Sequence, residues 1–192
     1  DLIGKKGMCL QNGVEGMGNS YFHEFCKSLR DKDECSYYLK ARQKNGTPTF
    51  EAKTALEELK QKSPCHVQKF IETGKKNSMC PYELAMLNAT GARVIIADYY
   101  YIFNQAIREG FLMKIGKELK DIILIVDEAH NLPARIRKSL SQETSSTIIE
   151  YARKEAMKFN YKETIDNLEI VENALFEAAK EYRTDHLRIL YL

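Results

Sequence analysis

The chain has 192 residues, long enough for one substantial core or two small ones, so burial is no obstacle to a stable fold. Apolar residues at 44% and charged residues at 29%, with only 10 Gly and 4 Pro, exclude a low-complexity or linker-rich chain and argue against disorder. A formal net charge of +2 is too small to point to nucleic acid, so the placement of charge has to carry that argument.

Residues 1–20 hold Gly4, Gly7, Gly13, Gly16 and Gly18 with little periodicity and read as loop around Cys9. From Tyr21 to Arg30, Phe22, Phe25, Cys26 and Leu29 recur at helical spacing, which predicts a short amphipathic helix with Cys26 on its apolar side; Cys35 follows after a charged turn. Phe50–Lys62 carries Ala52, Ala55, Leu56 and Leu59 on one stripe, and His66–Asn77 repeats the pattern with Val67, Phe70 and Ile71. Another helix is expected from Cys80-Pro81 to about Asn88. The composition then shifts: Arg93–Ala97 and Ile122–Val126 are short β-branched runs of the kind found in buried parallel strands, with helical segments around Tyr99–Arg108 and after Asn131. Thr144–Asn160 and Tyr161–Tyr182 read as an antiparallel helical pair. The expected fold class is mixed α/β and predominantly helical: a small helical module over 1–88, part of a parallel α/β sheet over 89–142, and a helical pair over 143–192. There is no internal repeat.

The longest apolar run, Ile122–Val126, is far short of the ~20 residues that cross a bilayer, and the N-terminus lacks a signal-peptide pattern, so no membrane partner and a cytoplasmic or nuclear location are expected. Basic residues are frequent before residue 80, Lys75 and Lys76 among them, and form either a phosphate-facing surface or a solvated mixed-charge face. All five cysteines, Cys9, Cys26, Cys35, Cys65 and Cys80, also lie within the first 80 residues. An odd count without a secretory signal fits a four-thiolate metal site plus one spare better than a disulfide framework. No Cys-x-x-Cys pair is present, which argues against a zinc ribbon; spacing alone leaves an iron–sulfur cluster, zinc and plain buried thiols open.

Ile125-Val126-Asp127-Glu128-Ala129-His130 puts two carboxylates at the end of an apolar run, where open α/β sheets bind ligands. There Asp127 can hold Mg²⁺ through its water shell and Glu128 can orient and deprotonate the water that attacks a γ-phosphate, with His130 facing the next part of a motor. The competing reading is an acidic turn or helix cap. A nucleotide site also needs a Gly-x-x-x-x-Gly-Lys-Ser/Thr loop, and Gly4-Lys5-Lys6-Gly7 has neither the spacing nor the hydroxyl residue. The chain thus carries half of a nucleotide site and is expected not to hydrolyse ATP alone.

The order of these features resembles the XPD-type iron–sulfur helicases. Met8-Cys9-Leu10, Cys26, Glu34-Cys35-Ser36-Tyr37-Tyr38 and Met79-Cys80-Pro81-Tyr82 are similar to that family's four cluster ligands, with Cys65 as the spare. Phe70–Lys76, Val94–Tyr101 and Val126–Leu132 are also similar, and the likeness covers about residues 5–140. It implies an ATP-dependent 5′-to-3′ DNA helicase acting in repair, with a 4Fe–4S cluster on Cys9, Cys26, Cys35 and Cys80 and Mg-ATP in the complete enzyme. Residues 1–88 would be the cluster domain, 89–142 part of a RecA-like motor domain, and 143–192 the start of the Arch domain. The implied partners are single-stranded or forked DNA, the remaining helicase domains and repair-complex proteins. Tyr82 would lie near the DNA path and stack on a base, a contact worth roughly 1–3 kcal/mol, or else pack against the cluster module. Where eukaryotic relatives place an arginine of a lesion-sensing pocket, this chain has Met86. Two rival classes stay open: a DNA-binding iron–sulfur module without ATPase activity, and a zinc or thiol helical module that contacts proteins.

Overall fold

The computed structural model describes residues 1–142, 144–182 and 189–190, so positions 143, 183–188 and 191–192 of the expected C-terminal segment lie outside the described residues. Two compact units divide the chain, Asp1–Ile125 and Val126–Leu192. Each is described separately.

In the first unit a 3₁₀ turn, Lys5–Met8, leads to α1 (Asn19–Asp31), α2 (Ser36–Ala41), α3 (Phe50–Gln61), α4 (Val67–Asn77), α5 (Pro81–Ala89), α6 (Tyr100–Phe103) and α7 (Gln105–Ile115). The Thr49 side chain accepts a hydrogen bond from the Ala52 N–H at 3.0 Å and so starts α3, whose Ala52, Ala55, Leu56 and Leu59 are buried. The α4 helix ends at Ser78 in the left-handed region (φ 53°), and the Met79 N–H returns to the Gly74 carbonyl at 2.9 Å. Pro81 then opens α5, where its missing N–H costs nothing.

The α5 helix is the axis of this unit. Pro81 through Met86 and Ala89 are all buried, so it is enclosed on every side. It packs against α2, α3, α4, α7 and the 3₁₀ turn, and the core around it runs from Leu2 and Met8 through Phe70 and Met86 to Phe111 and Ile115. Residues on both sides of position 88 therefore share one core.

The expected parallel sheet is not formed among the described residues. Arg93–Ala97 and Ile122–Val126 lie outside any helix or strand, and their only sheet-like pairing among the described residues is an isolated parallel bridge between Leu2 and Ala97, with the Leu2 N–H on the Ile96 carbonyl at 2.8 Å. Ile123 and Ile125 are 92% and 88% exposed. A parallel strand gains its stability from ladder partners on both edges and helices on both faces. A β-branched run without such neighbours has nothing to bury against.

The second unit opens on a turn and a 3₁₀ segment, Ala129–Asn131, followed by α8 (Leu132–Leu140). Strand β1 (Ser141–Gln142) pairs antiparallel with β2 (Ile189–Leu190). The helical pair expected from periodicity is α9 (Ser146–Lys158), capped by Ser145, and α10 (Lys162–Tyr182). They pack on each other, and Arg153 of α9 reaches Glu172 of α10 at 3.1 Å. No helix among the described residues is long and apolar enough to cross a membrane.

Candidate functional site

Four cysteines reach one cavity from four different elements. Cys9 ends the 3₁₀ turn, Cys26 sits on α1, Cys35 is the residue before α2 and Cys80 the residue before α5. All four line the same cavity, walled by Phe22, Phe25, Tyr37, Tyr38 and Pro81. The Cys80 N–H donates to the Tyr37 carbonyl at 2.8 Å, which fixes the start of α5 against α2 and brings two of the thiols together. Every cysteine is a free thiol.

Cys9 and Cys80 sit where their charged form is disfavoured. Burial pushes the Cys80 thiol up to about 12 and raises Cys9 as well, and the nearby Cys26 and Cys35 thiols act in the same direction on both. Opposing this, the backbone N–H groups of Gln11 and Leu10 beside Cys9, and that of Glu83 beside Cys80, favour the thiolate, and the Gln11 side-chain Nε2 donates to the Cys35 Sγ at 3.6 Å. Lys5 and Arg30 add cationic groups to the wall. Burial, then Lys114 and Arg30, lower the Lys5 pKa. Metal binds the thiolate form, and a bound metal would take the charge that burial penalises at Cys9 and Cys80. No three His, Cys, Asp or Glu side chains among the described residues converge on one point closely enough to share a single ion. An iron–sulfur cluster would draw its thiolates singly from Cys9, Cys26, Cys35 and Cys80.

Cys65 stands apart. Its Sγ donates to the Leu59 carbonyl at 3.2 Å, and it lines a second cavity with Leu2, Phe70 and Ile95.

Tyr82, expected either to stack on a base or to pack against the cluster module, is buried. Only 8% of it is accessible, and its ring lies beneath the ammonium groups of Lys5 (5.4 Å) and Lys114 (5.2 Å). Burial, with Tyr101 beside it, raises its phenol pKa. The helix that carries it is enclosed all round, so the ring is core and presents no free face to a base. Met86 is wholly buried on the same helix. Lys75 and Lys76 are exposed on the last turn of α4, with Lys76 3.3 Å from Glu58.

Periodicity gave no hint of Glu83, the only charged residue of α5. It is 3% exposed, yet Arg42 reaches it at 2.9 Å and Lys114 at 3.3 Å. Burial alone would raise its carboxyl, but Lys114 and Arg42 outweigh that and hold it below the ordinary value. The available signal was a lone glutamate inside an otherwise apolar helix. Such a residue needs cationic partners to be buried at all.

In the second unit the acidic motif forms an exposed turn. The Glu128 N–H donates to the Asp127 Oδ1 at 2.9 Å, and the His130 Nδ1 lies 3.2 Å from the Glu128 Oε2. Glu128 has φ 49°, a left-handed conformation uncommon outside glycine and asparagine. The structure thus brings Glu128 and His130 together and leaves both carboxylates facing solvent.

The DEAD_2 family profile matches residues 1–149. The chain is 32% identical over 136 residues to the regulator of telomere elongation helicase 1 homolog of Caenorhabditis briggsae, covering 69% of this chain and 12% of that protein. It is 27% identical over 153 residues to the ATP-dependent DNA helicase CHL1 of Kluyveromyces lactis, covering 80% of this chain and 18% of the relative. With the Caenorhabditis elegans regulator of telomere elongation helicase 1 homolog it shares 29% over 163 residues, 81% of this chain and 15% of that one. The chain therefore spans under a fifth of the length of these relatives.

Proposed function

Because the chain belongs to the DEAD_2 family, in keeping with its resemblance to XPD-type helicases, we propose that it is the iron–sulfur and DEAH-box portion of an ATP-dependent DNA helicase. The observation that carries this reading is the convergence of Cys9, Cys26, Cys35 and Cys80, from four elements, on one cavity that excludes Cys65. These four thiols would hold a 4Fe–4S cluster, which when bound supplies four Fe–S bonds tying the 3₁₀ turn, α1, α2 and α5 together. Residues 1–88 then serve as the cluster domain, 89–142 as part of a RecA-like motor domain and 143–192 as the start of the Arch. The single Leu2–Ala97 bridge is in keeping with a parallel sheet whose other strands lie elsewhere in a complete motor.

In the second unit, Asp127 would hold Mg²⁺ of Mg-ATP through water and Glu128 would accept the proton of the attacking water. For that, Glu128 has to exchange its contact with His130 for the water. The phosphate-binding loop would come from outside this sequence, so turnover by this chain alone is not expected. DNA is the proposed substrate, unwound 5′ to 3′, with Lys75 and Lys76 offering exposed charge to phosphates. Repair and telomere maintenance are the proposed settings.

The test is iron and acid-labile sulfide content, with the visible spectrum, on protein purified without oxygen. About four irons per chain are expected. They should be lost in Cys35→Ser and kept in Cys65→Ser; zinc in place of iron, or iron that depends on Cys65, would overturn the reading.

A further inference from the structure

Gln11 stands between two of the four thiols that line the cavity, and among the described residues it gives one of them a side-chain hydrogen bond. Its backbone N–H lies beside Cys9 and favours the thiolate there, and its side-chain amide donates to the Cys35 sulfur at 3.6 Å across a separation of 24 residues. Nothing in a loop conformation requires the second contact, since a side chain in that turn could equally face water. The other donors to the thiols of this cavity, at Leu10 and Glu83, are backbone groups that come with the local fold. Among the described residues, only at Gln11 does a side chain add a donor. Hydrogen bonds to cluster sulfurs are one of the levers that set a reduction potential, because a donor stabilises the more negative, reduced state more than the oxidised one.

We infer that Gln11 is a positioning and tuning residue for the cluster, holding the Cys35 sulfur and raising the potential at which the cluster accepts an electron. The inference rests on the cluster reading above, and its test separates the two. Gln11→Met keeps length and volume but removes the donor; Gln11→Glu keeps shape and puts an acceptor beside the sulfur. Neither changes a thiol. Iron content would be measured first, and then the one-electron midpoint potential, with the electron supplied by an electrode.

The expected result is full iron in the parent and a lower potential in both variants, with Gln11→Glu lowest. The size expected for Gln11→Met is roughly tenfold in the reduced-to-oxidised ratio at fixed potential, about 59 mV for one electron. If either variant loads iron and its potential matches the parent, the inference is overturned while the cluster stands. If the parent holds no iron, the cluster reading itself fails. If Gln11→Met loses its iron, Gln11→Glu supplies the measurement, and loss of iron in both while Cys65→Ser retains it supports the holding role.

Discussion

Which cysteines share a cavity was legible from residue type and motif order; which residues support them was not. Five cysteines in one stretch announce a thiol site, and the order of motifs singled out Cys65, but only the fold shows it in another cavity. Gln11 and Glu83 gave no such signal, because their roles come from residues 24 and 31–41 positions away. Glu83 leads to a prediction. Glu83→Gln would leave Arg42 and Lys114 facing each other across a buried amide. Removing one member of a buried ionic group costs about 3 kcal/mol. A urea midpoint lowered accordingly, with unchanged slope, would show it. The pH dependence has a definite sign: a carboxyl held below its ordinary 4.5 contributes in full above that value and loses its contribution as pH falls through the folded-state pKa. The gap between parent and Glu83→Gln should therefore be constant around neutrality and close on acidification below 4.5. A gap that persisted in acid would assign the loss to packing instead.

At the scale of elements, helices with a 3.6-residue apolar stripe were readable to within a residue or two at their ends, as α3 and α4 illustrate. Helix α2 was not, since six residues after Cys35 give too little periodicity to see. The expected strands do not form among the described residues for a different reason: β-propensity describes how a run fits a pleated, half-buried surface, and Ile123 and Ile125 have no such surface here. The junction of α4 and α5 offers the sharper test. Within a helix, alanine in place of glycine normally stabilises by roughly 0.5–1 kcal/mol. At Gly74 the sign should reverse, because a Cβ there would lie 2.6 Å from the Pro81 ring and 2.7 Å from the Met79 carbonyl, one of them backbone. Relief requires moving the residues on both sides of Cys80. Gly74→Ala is expected to cost about 1–3 kcal/mol, the usual range for overpacking, and to reduce iron retention along with it. A thermal melt shifted upward with iron retained would refute the close approach.

For the molecule as a whole, the two units differ in what they can bury alone. The first has a continuous core around α5, whereas in the second only Ile149 and Ala156 are buried among the described residues, while Ile148, Met157, Ile170 and Phe176 of α9 and α10 stand exposed. Local stability follows buried contacts, so opening free energies should fall from the first unit to the second. Amide hydrogen exchange read by mass spectrometry tests this together with the motor assignment. Peptides from α4 and α5 should be the slowest. The segment Ile123–Val126 should exchange rapidly, because no ladder protects it. A longer polypeptide that also contains a phosphate-binding loop and the remaining strands of a RecA-like sheet should behave differently: protection should appear at 93–97 and 122–126 together, since a parallel strand is protected only when both neighbours are in place. Adding Mg-ATP to that polypeptide should slow exchange further around Asp127 and Glu128, and should do nothing to the present chain. Protection of 122–126 in the present chain, or none in the longer one, would mean that these runs are not sheet strands, and the carboxylates after them would revert to an acidic turn.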